Sequence, residues 1–596
     1  MDKQQFVDKG SQKIPCHSVA AWALIFFSGF DGAAQQALPK KNVLFIFVDD
    51  LKPVLNCYGE SQIVSPNIDA LAQQGVVFSN AYCQWPVSGP SRASILTGLT
   101  PDGTGVRNLS TLLREVKPNV VTLPQYFKSK GYATAACGKV FDPRNVDEGH
   151  DLPSWSIPYV DPNQYSYPTQ YGAFVDGNQY RVAPNTATEQ GPSGVDDDGY
   201  TDGQICNDAL GKLSSLAQNP NQPFFLAVGF KKPHIPFIAP DKYWKLYDRS
   251  LIQLAPYQRK ALNSPDYAYS KPEPIGYSDI PNPWEYDDVE LGDGILDPAV
   301  QKRLIHGYYA CVSYIDAQIG KLMSQLERYN LKDKTIVVLI GDHGYHLGDH
   351  NLWGKHTQFE NALRAPLIIV DPDGVKGTHA NPVDFTDVFP TVCELGGVDV
   401  PVGSIQGVSL KPVLHGGNGV AKLSVSEYRA DGGSAYSFRN DRYRLTLWMK
   451  SANDRPDRMV WLADQIKMVE LYDYQVDPLE TNNVDSQESY RLIKNMLLDE
   501  VAMWWNGQYR FFSGIPSGIP NQSLEPDLVV LDRQTMVLEI KNPQISRLNI
   551  YDLTGDMVVS TVHPKQTIDV SGFQPGLYLC QIFLEKQCFV QKVVIQ

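Results

Sequence analysis

Uninterrupted apolar runs of strand length recur along the first two thirds of the chain, at residues 43–48, 224–228, 335–340 and 366–370. A run without polar alternation is typical of a strand that is covered on both faces, as in a parallel α/β sheet. Amphipathic helical stretches, such as the one from 302 to 329, separate these runs. The alternation predicts a doubly wound α/β domain, with a mixed or parallel sheet, over residues 38–420.

Two long segments of this domain, at about 151–200 and 255–300, lack periodicity and are rich in Pro, Tyr, Asn and Asp. Loops of that length in a compact domain are usually functional. We therefore expect these two segments to form walls of a pocket.

The pattern changes after residue 420. Short strand-like pieces and a helix at 490–505 predict a smaller α+β C-terminal subdomain over 421–512. A stretch rich in Gly, Pro, Ser and Asn at 513–525 is typical of a linker. Alternating apolar and polar residues with turn signals then predict a small β-sandwich over 526–596.

The N-terminus has the layout of a signal peptide, predicted here as residues 1–37. Three lysines precede an apolar run at 19–27, and small residues follow near Ala33. An N-terminal anchor or a buried helix are the alternatives. No later stretch reaches the ~20 apolar residues of a membrane-spanning helix, so we expect no transmembrane anchor in the mature chain.

The formal net charge is −14, so the surface as a whole would repel nucleic acid and other polyanions. A site for an anionic substrate would have to reverse that field with a few Lys and Arg residues. The nine cysteines contain no CxxC pair, which argues against a zinc cluster or a thioredoxin-like centre. A disulfide between Cys580 and Cys588 and buried free thiols are both compatible with the sequence.

Acidic residues follow two of the apolar strands directly. Asp49 and Asp50 end the run at 43–48, and Asp342 and His343 end the run at 335–340. Each group alone is compatible with a turn or a helix cap. Ligand sites of α/β sheets lie at the carboxyl ends of strands, where adjacent acids repel each other unless a cation lies between them. Mostly oxygen ligands favour calcium or magnesium over zinc.

The segment from Ser88 to Gly98 reads Ser-Gly-Pro-Ser-Arg-Ala-Ser-Ile-Leu-Thr-Gly. It resembles the sulfatase pattern, in which Cys or Ser is followed by any residue, then Pro-Ser-Arg, and then Leu-Thr-Gly. The alternative is a Pro-broken loop before a capped helix. Further segments resemble sulfatase motifs in their usual order, namely 138–141, 232–234, 352–357 and 471–483. The residue sequences of 223–229 and 311–316 are most similar to the iduronate-2-sulfatase branch.

The resemblance implies an alkaline-phosphatase-like sulfatase fold and a sulfuric ester hydrolase that acts on a sulfated carbohydrate. It also implies that Ser88 is oxidised to formylglycine by a radical maturase, and that the formylglycine hydrate is the nucleophile. In this family the bound ion is Ca²⁺, and the matching ligands are Asp49, Asp50, Asp342 and His343. A phosphate or phosphonate ester hydrolase and a catalytically inactive glycan-binding homologue are the alternative functions.

Four basic residues complete the site that the resemblance implies. Lys139 and Lys355 would hold the sulfate oxygens, and Arg92 would fix the nucleophile. His234 would protonate the departing sugar oxygen. Without the motifs, the three Lys and Arg residues are equally compatible with solvated surface bases, and His234 with a structural residue.

Two further features bear on the resemblance. The related branch has a helper histidine three residues after Lys139, and Asp142 stands there in this chain. Either Asp142 or a nearby histidine would have to act as the base.

The C-terminal sandwich resembles the sorting domain of type IX secretion, with a carbohydrate-binding or interaction module as the alternative. Together with the signal peptide, it implies that secretion machinery exports the protein to the outside or surface of a Gram-negative cell.

Overall fold

The computed structural model describes residues 40–159, 196–270, 296–401, 403–419, 423–430, 433–450, 465–505 and, with short gaps, 529–595. The predicted signal peptide and the predicted linker lie outside the described residues. So do the central parts of the two long segments that were expected to form pocket walls.

A mixed sheet forms the centre of the first four hundred residues. The strands of this part are β1 (Asn42–Val48), β2 (Val76–Phe78), β3 (Ala81–Tyr82), β4 (Ala133–Gly138), β5 (Phe224–Phe230), β6 (Thr335–Gly341), β7 (His346–Leu347), β8 (Trp353–Gly354), β9 (Leu367–Val370), β10 (Gly377–His379) and β11 (Val383–Asp384). Within the described residues, the large sheet has the order β10-β2-β9-β6-β1-β5-β4. Strands β6, β1, β5 and β4 are parallel, whereas β9 is antiparallel to both β6 and β2. The predicted mixed α/β sheet is confirmed.

Strand β1 shows why the apolar runs lack polar alternation. Its side chains alternate between two separate cores, one on each face of the sheet. Leu44, Ile46 and Val48 belong to the first core. Val43, Phe45 and Phe47 belong to the second core. Because both faces are covered, every position from Val43 to Val48 is apolar.

Helices cover both faces of this sheet. The helices of the chain are α1 (Pro66–Ala72), α2 (Ser88–Thr97), α3 (Pro101–Thr104), α4 (Leu113–Val116), α5 (Leu123–Ser129), α6 (Thr201–Leu216), α7 (Asp241–Trp244), α8 (Pro298–Arg328), α9 (Glu360–Leu363), α10 (Val388–Leu395), α11 (Lys411–Leu414) and α12 (Arg491–Trp505). Helices α1, α6 and α8 contribute to the first core, and α2, α5 and α10 to the second. The predicted amphipathic helix at 302–329 corresponds to α8. None of the described helices combines the length and the apolar character that a bilayer span requires.

The C-terminal part consists of antiparallel sheets. Its strands are β12 (Ser424–Ala430), β13 (Gly433–Arg439), β14 (Tyr443–Met449), β15 (Ile466–Asp473), β16 (Val529–Asp532), β17 (Val537–Ile540), β18 (Ile545–Tyr551), β19 (Met557–Val562), β20 (Thr567–Asp569), β21 (Gly576–Leu584) and β22 (Gln587–Ile595). Strands β12 to β15 share a core with α12. The sheets β16-β17-β20 and β19-β18-β21-β22 share a small core of their own, which confirms the predicted sandwich. Cys580 is a buried free thiol there.

A buried ion cluster connects α9 to strand β14. The Arg444 guanidinium donates to Glu480 Oε1 at 3.0 Å and to the carboxylate of Glu360. The backbone N–H of Glu360 donates to Glu480 Oε2 at 2.8 Å. The side chains of Arg444 and Glu480 are each 1% exposed, and Arg439 Nε lies 3.8 Å from Glu360 Oε2, so Arg444 is the cation that bonds to both carboxylates.

Replacing Arg444 with Met should lower the free energy of unfolding by about 3–5 kcal/mol, because two buried carboxylates lose the cation that bonds to both of them. Denaturant unfolding followed by fluorescence would measure this. The control is Lys332→Met, which removes an exposed pair with Glu327 and should change the same quantity by less than about 1 kcal/mol. Equal effects of the two substitutions would show that Arg444 does not stabilise the buried ion cluster between α9 and β14.

Candidate active site

Four neighbouring parallel strands end level with one another. Val48 at the end of β1 is in register with Gly341 of β6 and with Phe230 of β5. Gly138 at the end of β4 is in register with Gly229 of β5. The residues that directly follow these strands therefore meet at one edge of the sheet, where ligand sites of α/β folds lie.

Three carboxylates and two imidazoles meet at this edge. Asp50, Asp342 and His343 each offer one ligand atom within 4.8 Å of the others, and so do Asp49, Asp50 and His234. His343 Nε2 lies 3.4 Å from Asp50 Oδ1 and 3.7 Å from Asp342 Oδ1. We refer to Asp49, Asp50 and Asp342 as the acid cluster. A donor set dominated by carboxylate oxygens suits a hard divalent cation.

Ser88 is the first residue of α2, and its hydroxyl lies at the acid cluster. Ser88 Oγ is 2.9 Å from Asp49 Oδ1 and 3.1 Å from His343 Nε2. His343 Nδ1 lies 2.9 Å from the carbonyl oxygen of Gly344, so in the neutral imidazole Nδ1 carries the proton and donates. The lone pair of His343 Nε2 therefore faces the Ser88 hydroxyl.

Arg92 joins the acid cluster from within α2. Its guanidinium donates to Asp342 Oδ2 at 2.9 Å and to Asp49 Oδ1 at 3.0 Å. It also donates to the carbonyl oxygens of Lys139 and Val140. Burial alone would raise the pKa of Asp49, but the charges of Lys139 and Arg92 outweigh burial and hold that pKa well below its usual range. Arg92 thus keeps a buried carboxylate ionised.

Two lysines bond to carboxylates of the acid cluster. Lys139 Nζ donates to Asp49 Oδ2 at 2.7 Å, and Lys355 Nζ donates to Asp50 Oδ1 at 2.7 Å. A Cβ at Gly229 would lie 1.9 Å from the carbonyl oxygen of Lys139, so the backbones of β4 and β5 approach too closely for any side chain there. This close approach fixes the position from which Lys139 extends.

His234 follows β5 and lies beside Asp50 of the acid cluster. Its Nε2 lies 4.0 Å from Asp50 Oδ2, while its Nδ1 lies 2.7 Å from the carbonyl oxygen of Ile235 and donates to it. Burial lowers the pKa of His234, although the Asp50 carboxylate opposes that effect. Lys232 Nζ donates to the carbonyl oxygens of His234 and Pro236 and so supports the loop.

Asp142, which stands where the related branch has a helper histidine, is bound by cations. Arg144 donates to it through Nε at 2.9 Å and through a terminal nitrogen at 2.8 Å, and Lys139 Nζ lies 3.4 Å away. Burial would raise the pKa of Asp142, but Lys139 and Arg144 together hold it well below the usual range. A carboxylate in that state is a weak base, whereas His343 already contacts Ser88. Of the two candidates for a base that the sequence leaves open, the surroundings therefore disfavour Asp142.

All nine residues proposed from the sequence for catalysis and metal binding lie together at this edge of the sheet. Sequence reasoning missed several residues that support them. A Cβ at Gly89 would lie 1.8 Å from Asn145 Oδ1, and the Asn145 amide donates to two carbonyl oxygens of the 108–111 loop. The Tyr308 hydroxyl donates to the carbonyl oxygen of Asp50 at 2.6 Å. No motif marks these residues, because each acts through a tertiary contact.

Comparisons with known proteins agree with this geometry. Residues 41–398 match the family described as Sulfatase. Residues 348–504 match the family described as N-sulphoglucosamine sulphohydrolase, C-terminal, and residues 533–596 match the Secretion system C-terminal sorting domain. The resemblances inferred from the sequence motifs are thereby confirmed.

Relatives and solved structures extend over most of the chain. The iduronate 2-sulfatase of Mus musculus is 33% identical over 540 residues, which cover 78% of this chain and 94% of the relative. The delta 4,5-hexuronate-2-O-sulfatase of Bacteroides thetaiotaomicron is 27% identical, with 80% and 92% covered. The phosphonate monoester hydrolase of Agrobacterium radiobacter shares the fold, with a TM-score of 0.61 at 20% identity over 79% of this chain and 96% of that one. The chain therefore belongs to the sulfatase family and is a sulfuric ester hydrolase.

Proposed function

We propose that the protein removes sulfate from the 2-position of a uronic acid unit in a sulfated polysaccharide or its oligosaccharides. The relatives named for iduronate 2-sulfate and for hexuronate 2-O-sulfate support this specificity. The observation that carries the proposed chemistry is the position of Ser88, whose hydroxyl contacts both Asp49 and His343 beside the acid cluster. In this proposal Ser88 is the precursor of a formylglycine, whose hydrate supplies the attacking hydroxyl.

The acid cluster together with His343 is proposed to bind Ca²⁺. Three carboxylates beside one imidazole nitrogen with an available lone pair form a donor set that fits a hard cation with mostly oxygen ligands. A bound divalent ion supplies positive charge at the oxygens that react. Arg92 keeps Asp49 and Asp342 in place for this purpose, because its guanidinium bridges both carboxylates.

Lys139 and Lys355 are proposed to hold the sulfate group. Each ammonium group already lies at the acid cluster, bound to Asp49 and to Asp50 respectively. Both side chains are at most 10% exposed, so their charges act in a medium that screens them little. Two fixed cations at the acid cluster would orient the anion and stabilise its charge during transfer.

His234 is proposed to be the general acid for the departing sugar oxygen. Because Nδ1 donates to the carbonyl oxygen of Ile235, the second proton of the imidazolium form is on Nε2, which faces Asp50. A proton at that position can reach an ester oxygen bound at the acid cluster. The 23% exposure of the His234 side chain is compatible with re-protonation from solvent.

The proposed function implies a division of the chain into domains, of which the last serves export. We propose a catalytic domain at 38–420, a subdomain at 421–512, a linker at 513–525 and a sorting domain at 526–596. The match of the C-terminal residues to a secretion sorting domain supports export by type IX machinery to the outside or the surface of a Gram-negative cell. A radical maturase would have to oxidise Ser88 before export.

Ser88→Ala should abolish sulfatase activity, because alanine cannot be converted to the aldehyde. The measurement combines turnover of an aryl sulfate and of a uronate 2-sulfate with intact-peptide mass spectrometry over residue 88. Protein co-expressed with the maturase should show loss of two hydrogen atoms at Ser88.

The matched control is Ser94→Ala in the same helix. The Ser94 hydroxyl is buried without a hydrogen-bond partner among the described residues, so its removal should leave activity intact. An unmodified Ser88 in protein made with the maturase would favour an inactive glycan-binding protein. Faster turnover of an aryl phosphate than of the aryl sulfate would favour a phosphate ester hydrolase.

Removal of divalent cations with a chelator should abolish activity, and Ca²⁺ should restore it. Asp50→Asn should weaken Ca²⁺ binding by at least roughly tenfold, since it removes a charged ligand. Calorimetric titration of Ca²⁺ and the rise of the thermal midpoint with Ca²⁺ would both measure this. Asp373→Asn, at a carboxylate that is 69% exposed, is the control and should bind Ca²⁺ as the parent does.

His234→Gln should slow hydrolysis in a way that depends on the leaving group. A sugar alkoxide needs protonation as it departs, so kcat on a carbohydrate sulfate should fall about 10²–10⁴-fold. An aryl sulfate with an acidic phenol needs little assistance and should lose much less. Equal losses on both substrates would indicate that His234 only shapes the site.

A further inference from the structure

Asp50 has a backbone conformation that differs from that of the strand before it. Its φ angle is 61°, in the left-handed region that residues other than glycine seldom adopt. In an extended strand, successive side chains point to opposite faces of the sheet. The ligand atoms of Asp49 and Asp50 nevertheless lie within 4.8 Å of each other. The left-handed residue at the end of β1 therefore allows two consecutive carboxylates to reach one site.

The peptide groups on both sides of Asp50 are hydrogen bonded to other parts of the fold. The N–H of Asp50 donates to Asp342 Oδ1 at 3.0 Å. The carbonyl oxygen of Asp50 accepts from the Tyr308 hydroxyl at 2.6 Å, and the same hydroxyl accepts from the N–H of Lys52 at 2.7 Å. One hydroxyl thus closes the turn at residues 50–52, because it bridges a backbone acceptor and a backbone donor two residues apart.

The position of Tyr308 is itself fixed by its surroundings. The residue belongs to the long helix α8, and its side chain is fully buried. Its ring stacks on that of Tyr345 and meets that of Phe237 edge to face, with ring centroids 5.7 Å apart in both pairs. A hydroxyl on a ring held in this way restrains the backbone groups to which it bonds.

From these contacts we infer that Tyr308 is a positioning residue, which holds Asp50 in its left-handed conformation and thereby raises the affinity of the acid cluster for a divalent cation. The inference rests on the proposed function, because the cation is part of that proposal. In this role Tyr308 acts through the backbone of Asp50.

The bonds of Tyr308 restrain Asp50 in a way that its other partners do not. Lys355 Nζ donates to both carboxylate oxygens of Asp50, at 2.7 and 2.9 Å, but a lysine side chain can follow the carboxylate if the backbone turns. Left-handed conformations of residues other than glycine are costly and persist where the surrounding structure holds them. A ligand that is already in its bound conformation costs less to order when the ion arrives.

The test is Tyr308→Phe in the full-length protein, which removes the hydroxyl and keeps the ring. Calorimetric titration of Ca²⁺ into the ion-free protein should show an affinity that is lower by about tenfold, at the lower end of the range for residues that support a metal ligand. In protein with a converted Ser88, the Ca²⁺ concentration for half-maximal activity should rise by a similar factor. The activity at saturating Ca²⁺ should approach that of the parent, because the ion then holds Asp50 in place.

The matched control is Tyr314→Phe in the same helix. The Tyr314 hydroxyl is also buried and also bridges two backbone groups, since it accepts from the N–H of Gly203 at 2.5 Å and donates to the carbonyl oxygen of Asp197 at 3.0 Å. Both variants should lower the thermal midpoint of the ion-free protein, whereas only Tyr308→Phe should weaken Ca²⁺ binding. Equal Ca²⁺ affinities of Tyr308→Phe and the parent, or equal weakening by the two variants, would overturn the inference.

Hydrogen exchange of backbone amides gives a second measurement, which needs no ion. In the ion-free parent, the N–H groups of Asp50 and Lys52 should both be protected. In Tyr308→Phe both should exchange faster, although only the Lys52 N–H loses its own acceptor. Unchanged exchange at Asp50 in this variant would contradict the positioning role. So would rapid exchange of either amide in the parent, which can be measured whatever the stability of the variant.

The two measurements separate this inference from the proposed function. If the parent binds Ca²⁺ and Tyr308→Phe binds it equally well, the proposed cation stands and the role of Tyr308 is wrong. If the parent binds no Ca²⁺ but both amides exchange faster in Tyr308→Phe, the proposed cation is wrong and Tyr308 still positions Asp50.

Discussion

The buried guanidinium of Arg92 is the interaction on which the site depends. It bonds to Asp49 after β1, to Asp342 after β6, and to backbone carbonyls after β4. Without that charge, Asp49 would retain Lys139, but the two buried carboxylates would lose the guanidinium that bridges them. Because Arg92 lies one helical turn beyond Ser88, the same bonds that hold the acids together also fix the helix that carries the nucleophile. The proposed cation site and the proposed nucleophile are therefore assembled as one unit.

The position of α2 adds a second constraint. All ten of its residues are buried, and its N-terminus, where backbone N–H groups are unpaired, is at the acid cluster. A helix N-terminus favours negative charge nearby, which suits both the carboxylates and a bound sulfate ester. Asn145 packs against Gly89 so closely that any side chain there would collide with it. A side chain at residue 89, the variable position of the sulfatase pattern, would therefore require Asn145 to move.

The long apolar runs predicted β1, β5, β6 and β9 because continuous burial leaves a strong signal. Strand β4 was not predicted, since Ala133–Gly138 consists mostly of small residues with little strand preference. The acid cluster could be proposed from two strand ends, but their pairing depends on the register between β1 and β6. The partnership of Asp142 with Arg144 and the contact of Asn145 with Gly89 depend on loop geometry. No periodicity or motif encodes such geometry.

The change from histidine to aspartate at position 142 alters how this edge of the site can work. A histidine there could exchange a proton with the nucleophile, whereas Asp142 is held ionised by Lys139 and Arg144. Proton exchange near Ser88 then depends on the histidines, and because Nε2 of His343 is a proposed Ca²⁺ ligand, that nitrogen can act as a base only in the ion-free site. In its place, the Asp142 carboxylate accepts from Arg144 and lies 3.4 Å from Lys139, which is proposed to hold the sulfate. The chain therefore has a fixed ion pair at the position where the related branch has a group that can exchange a proton.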